Sequence, residues 1–195
     1  RQALLDRWVA GEMSEAQLRE VYREDWNYDW RLYREIFRFA RDNGIPMVGL
    51  NVSREITSQV AYHGFESLSE NQRVELGAIT CDVSADYMAY IRSAFGGHGH
   101  GGHSGISDFS RFCEAQMVWD TAMAATAHGY LEARPDRAMV LLAGSGHVQR
   151  PAIPAQLSKR AALPHLILLP EASGGFERDA VSAGVADYLI RIDGR

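Results

Sequence analysis

Cysteine is almost absent from the sequence. The 195 residues hold two, Cys81 and Cys113, and neither sits in a CxxC or other zinc-type spacing, so no disulfide framework and no cysteine-based zinc site is legible. Runs of Lys and Arg are missing as well. With 25 acidic against 20 basic residues and a net charge of -5, the chain lacks the electrostatic footprint of a phosphate-tracking binder, and nucleic acid is not an expected partner. Long apolar runs are missing too: Ala138 to Ala143 and Leu166 to Leu169 fall far short of the ~20 residues that cross a bilayer. No basic-then-apolar signal stretch opens the sequence. It begins at Arg1, already in helix-like sequence, which fits a processed form or a fragment. No P-loop, GxSxG elbow, HExxH helix or Ser-His-Asp order stands out.

What is present matches an ordinary globular chain, 46% hydrophobic and 23% charged, long enough to bury roughly 70% of its unfolded surface without metal or disulfide staples. One segment departs from the average. Phe95 to Gly105 (FGGHGHGGHSG) holds six of the 18 glycines and three of the seven histidines. Its His98, His100 and His103 lie two and three residues apart on a flexible backbone, so at least two imidazoles can reach one transition metal. The alternative is a solvated loop with incidental histidines.

The first two thirds read as helical. Ser14 with Gln17 and Ser69 with Gln72 form capping boxes, and Asn43-Gly44 and Gly64 supply helix stops. Trp30, Tyr33, Phe37 and Ala40 share one stripe, and Tyr22, Trp26, Tyr28 and Phe39 crowd the same stretch, which reads as core packing. Ser53 to His63 reads as a further helix, and Ser84 or Asp86 caps one carrying Met88, Ile91 and Phe95. Asp108 caps the longest helix, whose Phe112, Trp119, Met123, Ala127 and Tyr130 repeat every three to four residues. Ile45 to Asn51, Arg137 to Ala143, Pro164 to Leu169 and Val185 to Ile192 read as strands, the later ones near-continuous apolar runs of the kind buried on both faces of a parallel sheet. The expected fold is therefore α/β: a mostly parallel sheet flanked by helices, with a helical insertion in the middle. One domain over 1–195 is expected, its helical part about 10–131 and its sheet-forming parts 45–51 and 137–192.

In an open α/β sheet ligands bind beyond the carboxyl ends of the strands, and Gly144-Ser145-Gly146-His147 follows one such strand. It is a poor dinucleotide fingerprint, because Gln149 stands where the third glycine belongs and Pro151 interrupts the helix that should follow. It reads better as a turn in which Gly144 and Gly146 let the backbone approach a ligand while His147 points over the strand ends, or else hydrogen-bonds a loop. On the long helix, Gln116 and Asp120 flank the stripe of Trp119 and Met123. A buried Asp120 needs a partner, either another helix or a histidine that it orients. Tyr87 and Tyr90 either pack or offer a phenolate to ferric haem.

Several segments resemble the ChaN-like haem-binding lipoproteins, which belong with the Tiki, TraB and erythromycin esterase-like proteins: LLDRWVAGEMSEAQL, NGIPMVGLN, AQMVWDTAMA and VLLAGSGHVQRPAIPAQL. The resemblance implies a parallel-sheet α/β fold with a helical insertion and a Gly-x-x-His element on Gly144 and His147. It also implies haem binding at a homodimer interface in the bacterial cell envelope, for iron uptake, with a lipid anchor outside this chain and a tyrosine as iron ligand. Tyr87 and Tyr90 are the candidates for that tyrosine because they precede the histidine window. The chain lacks the family's early strand ending in Gly-Glu-x-His. The leading expectation is thus a haem-binding uptake protein that is not an enzyme, using His147, Gly144, Gly146, Tyr87, Tyr90, Trp119, Met123, Gln116 and Asp120, with a transition metal as a second ligand at His98, His100 and His103. The alternative is a metal-dependent hydrolase of the same superfamily.

Overall fold

A computed structural model describes residues 1–26, 28–77, 79–81, 83–97, 108–171 and 181–191. It divides into two compact units, Arg1–Gly49 and Leu50–Arg195.

The first unit is three helices, α1 (Gln2–Val9), α2 (Glu15–Asp25) and α3 (Trp30–Asp42). Ser14 caps α2 through the reciprocal box with Gln17. α3 ends at Asn43, with Gly44 in the left-handed region at φ 60, where any other residue would carry a steric penalty. The core is Trp8, Met13, Leu18, Tyr22 and Trp30. Trp8 is wholly enclosed: its Nε1 donates to the Phe37 carbonyl at 2.8 Å, and the Arg41 guanidinium lies 4.5 Å over its ring. The aromatic stripe is thus core in part, while Tyr28 and Phe39 stand exposed.

The second unit is organised around a long helix that is apolar on nearly every side, as a central helix must be. This is α7 (Phe109–Glu132), preceded by α4 (Arg54–His63), α5 (Glu70–Leu76) and α6 (Ala85–Gly97), and followed by α8 (Ser145–Val148), α9 (Ile153–Ser158), β1 (Leu168–Pro170) and β2 (Tyr188–Ile190). α4 and α5 bury Val60, Ala61 and Leu76 against Ala115, Val118 and Ala122 of α7. α6 packs Tyr87 and Ile91 on Phe112, Cys113 and Met117. On the remaining side Met123 and Ala124 meet Ile153 of α9. Asp108 caps α7 by accepting the Ser110 N–H, and Ser84 accepts the Tyr87 N–H at the start of α6. Cys81 and Cys113 form a disulfide with Cα atoms 6.1 Å apart, which ties the approach to α6 onto α7.

The expectation of a mostly parallel sheet is overturned. Among the described residues, β1 and β2 are the only strands, paired in parallel with Leu168 opposite Tyr188 and Pro170 opposite Ile190. The segments 45–50 and 137–144 run without a ladder. The reason is non-local. A strand needs another strand to pair with, and a parallel sheet also needs cover on its faces. Here alternate side chains turn inward, with Ile167 and Leu169 buried, while Leu166, Leu168 and Val140 face solvent, Val140 at 87% exposure. An apolar run announces a strand but does not supply its neighbours.

Candidate functional site

Helical periodicity carries Asp120 to the inside of α7, where it is fully buried. A carboxylate in that position costs several kcal/mol unless its lone pairs are engaged, and both oxygens are. Oδ1 lies 2.7 Å from His147 Nδ1, and Oδ2 accepts the Tyr87 hydroxyl at 2.9 Å. Tyr87 comes from α6 and is 2% exposed. His147 comes from the single turn α8, where its N–H donates to the Gly144 carbonyl at 2.8 Å. Three elements far apart in sequence therefore meet at one carboxylate.

With Asp120 ionised, a neutral His147 facing it carries its proton on Nδ1, because a carboxylate can only accept. Nε2 is then the nitrogen with a free lone pair. The His147 side chain is 21% exposed and stands edge-on to Trp119, ring centroids 5.5 Å apart at 88°. Burial pushes the Asp120 carboxyl above its usual range, while the hydrogen bonds from His147 and Tyr87 pull it back. Burial, followed by the charge and the hydrogen bond of Asp120, raises Tyr87 far beyond an ordinary phenol, so it stays protonated. Tyr90, stacked parallel to Tyr87 at 6.1 Å, is raised first by burial and then by Asp120, with Gln149 beside it acting in the opposite direction.

Tyr90 also explains one of the two glycines. Neither Gly144 nor Gly146 has a positive φ, so the turn needs no left-handed glycine. A Cβ at Gly144 would meet only His147 Cδ2, at an ordinary 3.7 Å. A Cβ at Gly146 would come within 2.7 Å of the Tyr90 hydroxyl and 3.1 Å of its ring. Gly146→Ala is therefore expected to displace Tyr90 and cost about 1–3 kcal/mol as an overpacked site, whereas Gly144→Ala leaves stability within about 0.5 kcal/mol. Urea unfolding of the two variants measures the contrast.

The remaining sequence candidates divide. Trp119 and Met123 belong to one apolar cluster with Ala124 and Ile153, and Trp119 reaches the site through His147. Gln116, one turn before Asp120, is half-buried and joins no hydrogen bond of this network among the described residues. His98, His100 and His103 lie outside the described residues. Among the described residues no group of three His, Cys, Asp or Glu is placed to hold a metal ion. Sequence reasoning did not single out Gln149 as a site residue. It is 4% exposed, and its Nε2 is buried with no hydrogen-bond partner among the described residues, which is costly for an amide donor. The only sequence signal was a polar residue two positions after His147.

A family model described as haem-binding uptake, Tiki superfamily, ChaN matches residues 1–157. The chain belongs to the ChaN family. The matched span of this ChaN-family chain contains Tyr87, Tyr90, Asp120, the Gly144 to His147 turn and Gln149, and it stops before β1 and β2. Every residue of the buried network thus falls in the part the family shares. No curated protein and no solved structure matches the chain.

Proposed function

We propose that the chain binds haem for uptake, with His147 as the principal iron donor and Asp120 as the residue that orients it. The observation that carries this reading is the 2.7 Å contact between the buried Asp120 carboxylate and His147 Nδ1, which fixes the imidazole and directs Nε2 outward. A ligating histidine is held in this way, its second nitrogen donating to a carboxylate that raises its basicity. The donor set fits the group: an oriented imidazole, an adjacent phenol and an aromatic edge from Trp119.

The two tyrosines take different roles in this reading. Tyr87 is a positioning residue, since its hydroxyl is committed to Asp120 inside the core. Tyr90 is the tyrosine beside the turn that carries His147, and it is the phenol able to serve the iron or a polar atom of the ligand. Haem would supply an iron centre able to accept a nitrogen or phenolate donor.

The cell envelope, a homodimer and a lipid anchor complete the proposal. The Cys81–Cys113 disulfide supports an oxidising compartment such as the envelope. The hydrolase alternative requires three protein ligands around a metal with an open position, and the described residues bring only Asp120 and His147 together here.

Hemin titration of the full chain tests the proposal. The expected result is a saturating Soret shift whose apparent Kd rises about tenfold or more in His147→Ala and in Tyr90→Phe. A spectrum identical to free hemin, or variants that bind as the parent does, would overturn it.

A further inference from the structure

The α2–α3 pair of the first unit carries a cleft of about 410 Å³, inside the size range of small-molecule sites. Four arginines line it, Arg19, Arg23, Arg31 and Arg34, against two carboxylates. Both carboxylates are already engaged. Glu15 is held by Arg38 at 2.7 Å and accepts Trp30 Nε1 at 3.3 Å. Asp29 accepts the side chain and the backbone N–H of Arg31, which holds its carboxyl down at about 2.

The other three guanidiniums are held less firmly. Arg23 and Arg34 form exposed pairs with Glu20 and Glu35 on their own helices, the weak kind that solvent screens, and Arg34 adds its field to Glu15. Arg19 contributes its field to Asp29 but forms no ion pair among the described residues. Tyr28, in the same wall, presents an aromatic ring that is 60% exposed.

We propose that this cleft binds a small organic dianion, a phosphate or a dicarboxylate carried on a flat ring. The guanidiniums of Arg19, Arg23 and Arg34 hold the charge and Tyr28 takes the ring. Among the lining residues four arginines stand against Glu15 and Asp29, an excess of positive charge that suits an anion. Planar guanidiniums grip phosphate and carboxylate through paired hydrogen bonds, and an exposed tyrosine offers a stacking face at little entropic cost. This site is independent of the haem reading and lies wholly within Arg1–Gly49.

Calorimetric titration of the full chain with phenyl phosphate, phthalate, inorganic phosphate and benzyl alcohol tests it. Saturable binding of phenyl phosphate or phthalate is expected, the stronger of the two identifying the anion, with inorganic phosphate weaker and benzyl alcohol giving no heat. Arg19→Gln should weaken binding about tenfold or more, Arg19→Lys should retain part of it, and Arg137→Gln, in the other unit, should bind as the parent does. Tyr28→Ala should bring the ring-bearing anion down to the affinity of inorganic phosphate. Absence of saturable binding by both dianions, or an Arg19→Gln variant of parental affinity and unchanged circular dichroism, would overturn the proposal.

Discussion

Asp120→Ala is expected to destabilise the Leu50–Arg195 unit by about 2–4 kcal/mol and to abolish tight hemin binding. The substitution removes two charge-assisted hydrogen bonds, strands the Tyr87 hydroxyl inside the core, and leaves a small cavity against α6. The gain from no longer burying a carboxylate offsets part of that loss. Asp120→Asn separates the two effects. An amide of the same volume can still accept from Tyr87, but toward His147 it must donate, and that forces the imidazole to accept at Nδ1 and to carry its proton on Nε2. The donor lone pair then points at Asn and not at the ligand. Stability should fall by about 1 kcal/mol or less, while hemin affinity drops about 10- to 100-fold, as it does when the partner of a ligating histidine is removed. Urea midpoints paired with Soret titrations read the two quantities. An Asp120→Asn protein that binds hemin like the parent would show that Asp120 serves only the fold.

Trp8→Ala is expected to cost about 3–5 kcal/mol within Arg1–Gly49, enough to melt a unit of that size. Units below about 60 residues bury a smaller share of their surface and are marginal on their own. Trp8 is the largest fully enclosed side chain of this unit, and its loss also removes the hydrogen bond that its Nε1 donates to the Phe37 carbonyl at 2.8 Å. Limited proteolysis should then cut within α1 to α3 while the disulfide-tied second unit persists. Equal resistance of the variant and the parent would contradict this account of the core.

The local devices of this fold were legible and the long-range ones were not. The Ser14–Gln17 and Ser69–Gln72 boxes, the Ser53 and Asp108 starts and the Gly44 and Gly64 stops are written within a few residues and appear where the sequence places them. The apolar runs at 137–143 and 164–169 looked like sheet because they have the right composition. Strand pairing depends on partners elsewhere in the chain, and only Leu168–Pro170 and Tyr188–Ile190 find each other among the described residues. The Cys81–Cys113 bridge spans 32 residues and carries no local spacing signature.

The site shows the same division. Asp120, His147, Tyr87 and Trp119 were each flagged from residue type and context. Their assembly depends on α6, α7 and α8 packing across separations of 27 and 33 residues, which no periodicity encodes. Tyr87 and Tyr90 were equivalent in sequence. Geometry distinguishes them, one sealed against Asp120 and the other pressed on Gly146. Gln149 offered only its polarity two positions after His147, because an amide stands out only once it is buried.

The most direct test of the central claim, that His147 Nε2 donates to the iron, is rescue of His147→Gly by free imidazole. Because hemin binds imidazole without protein, the spectrum is read on the protein fraction after gel filtration. The account predicts that the variant alone retains little hemin, and that added imidazole restores both co-elution at parental stoichiometry and the parental Soret position. A His147→Gly protein that holds hemin with the parental spectrum before imidazole is added would contradict it.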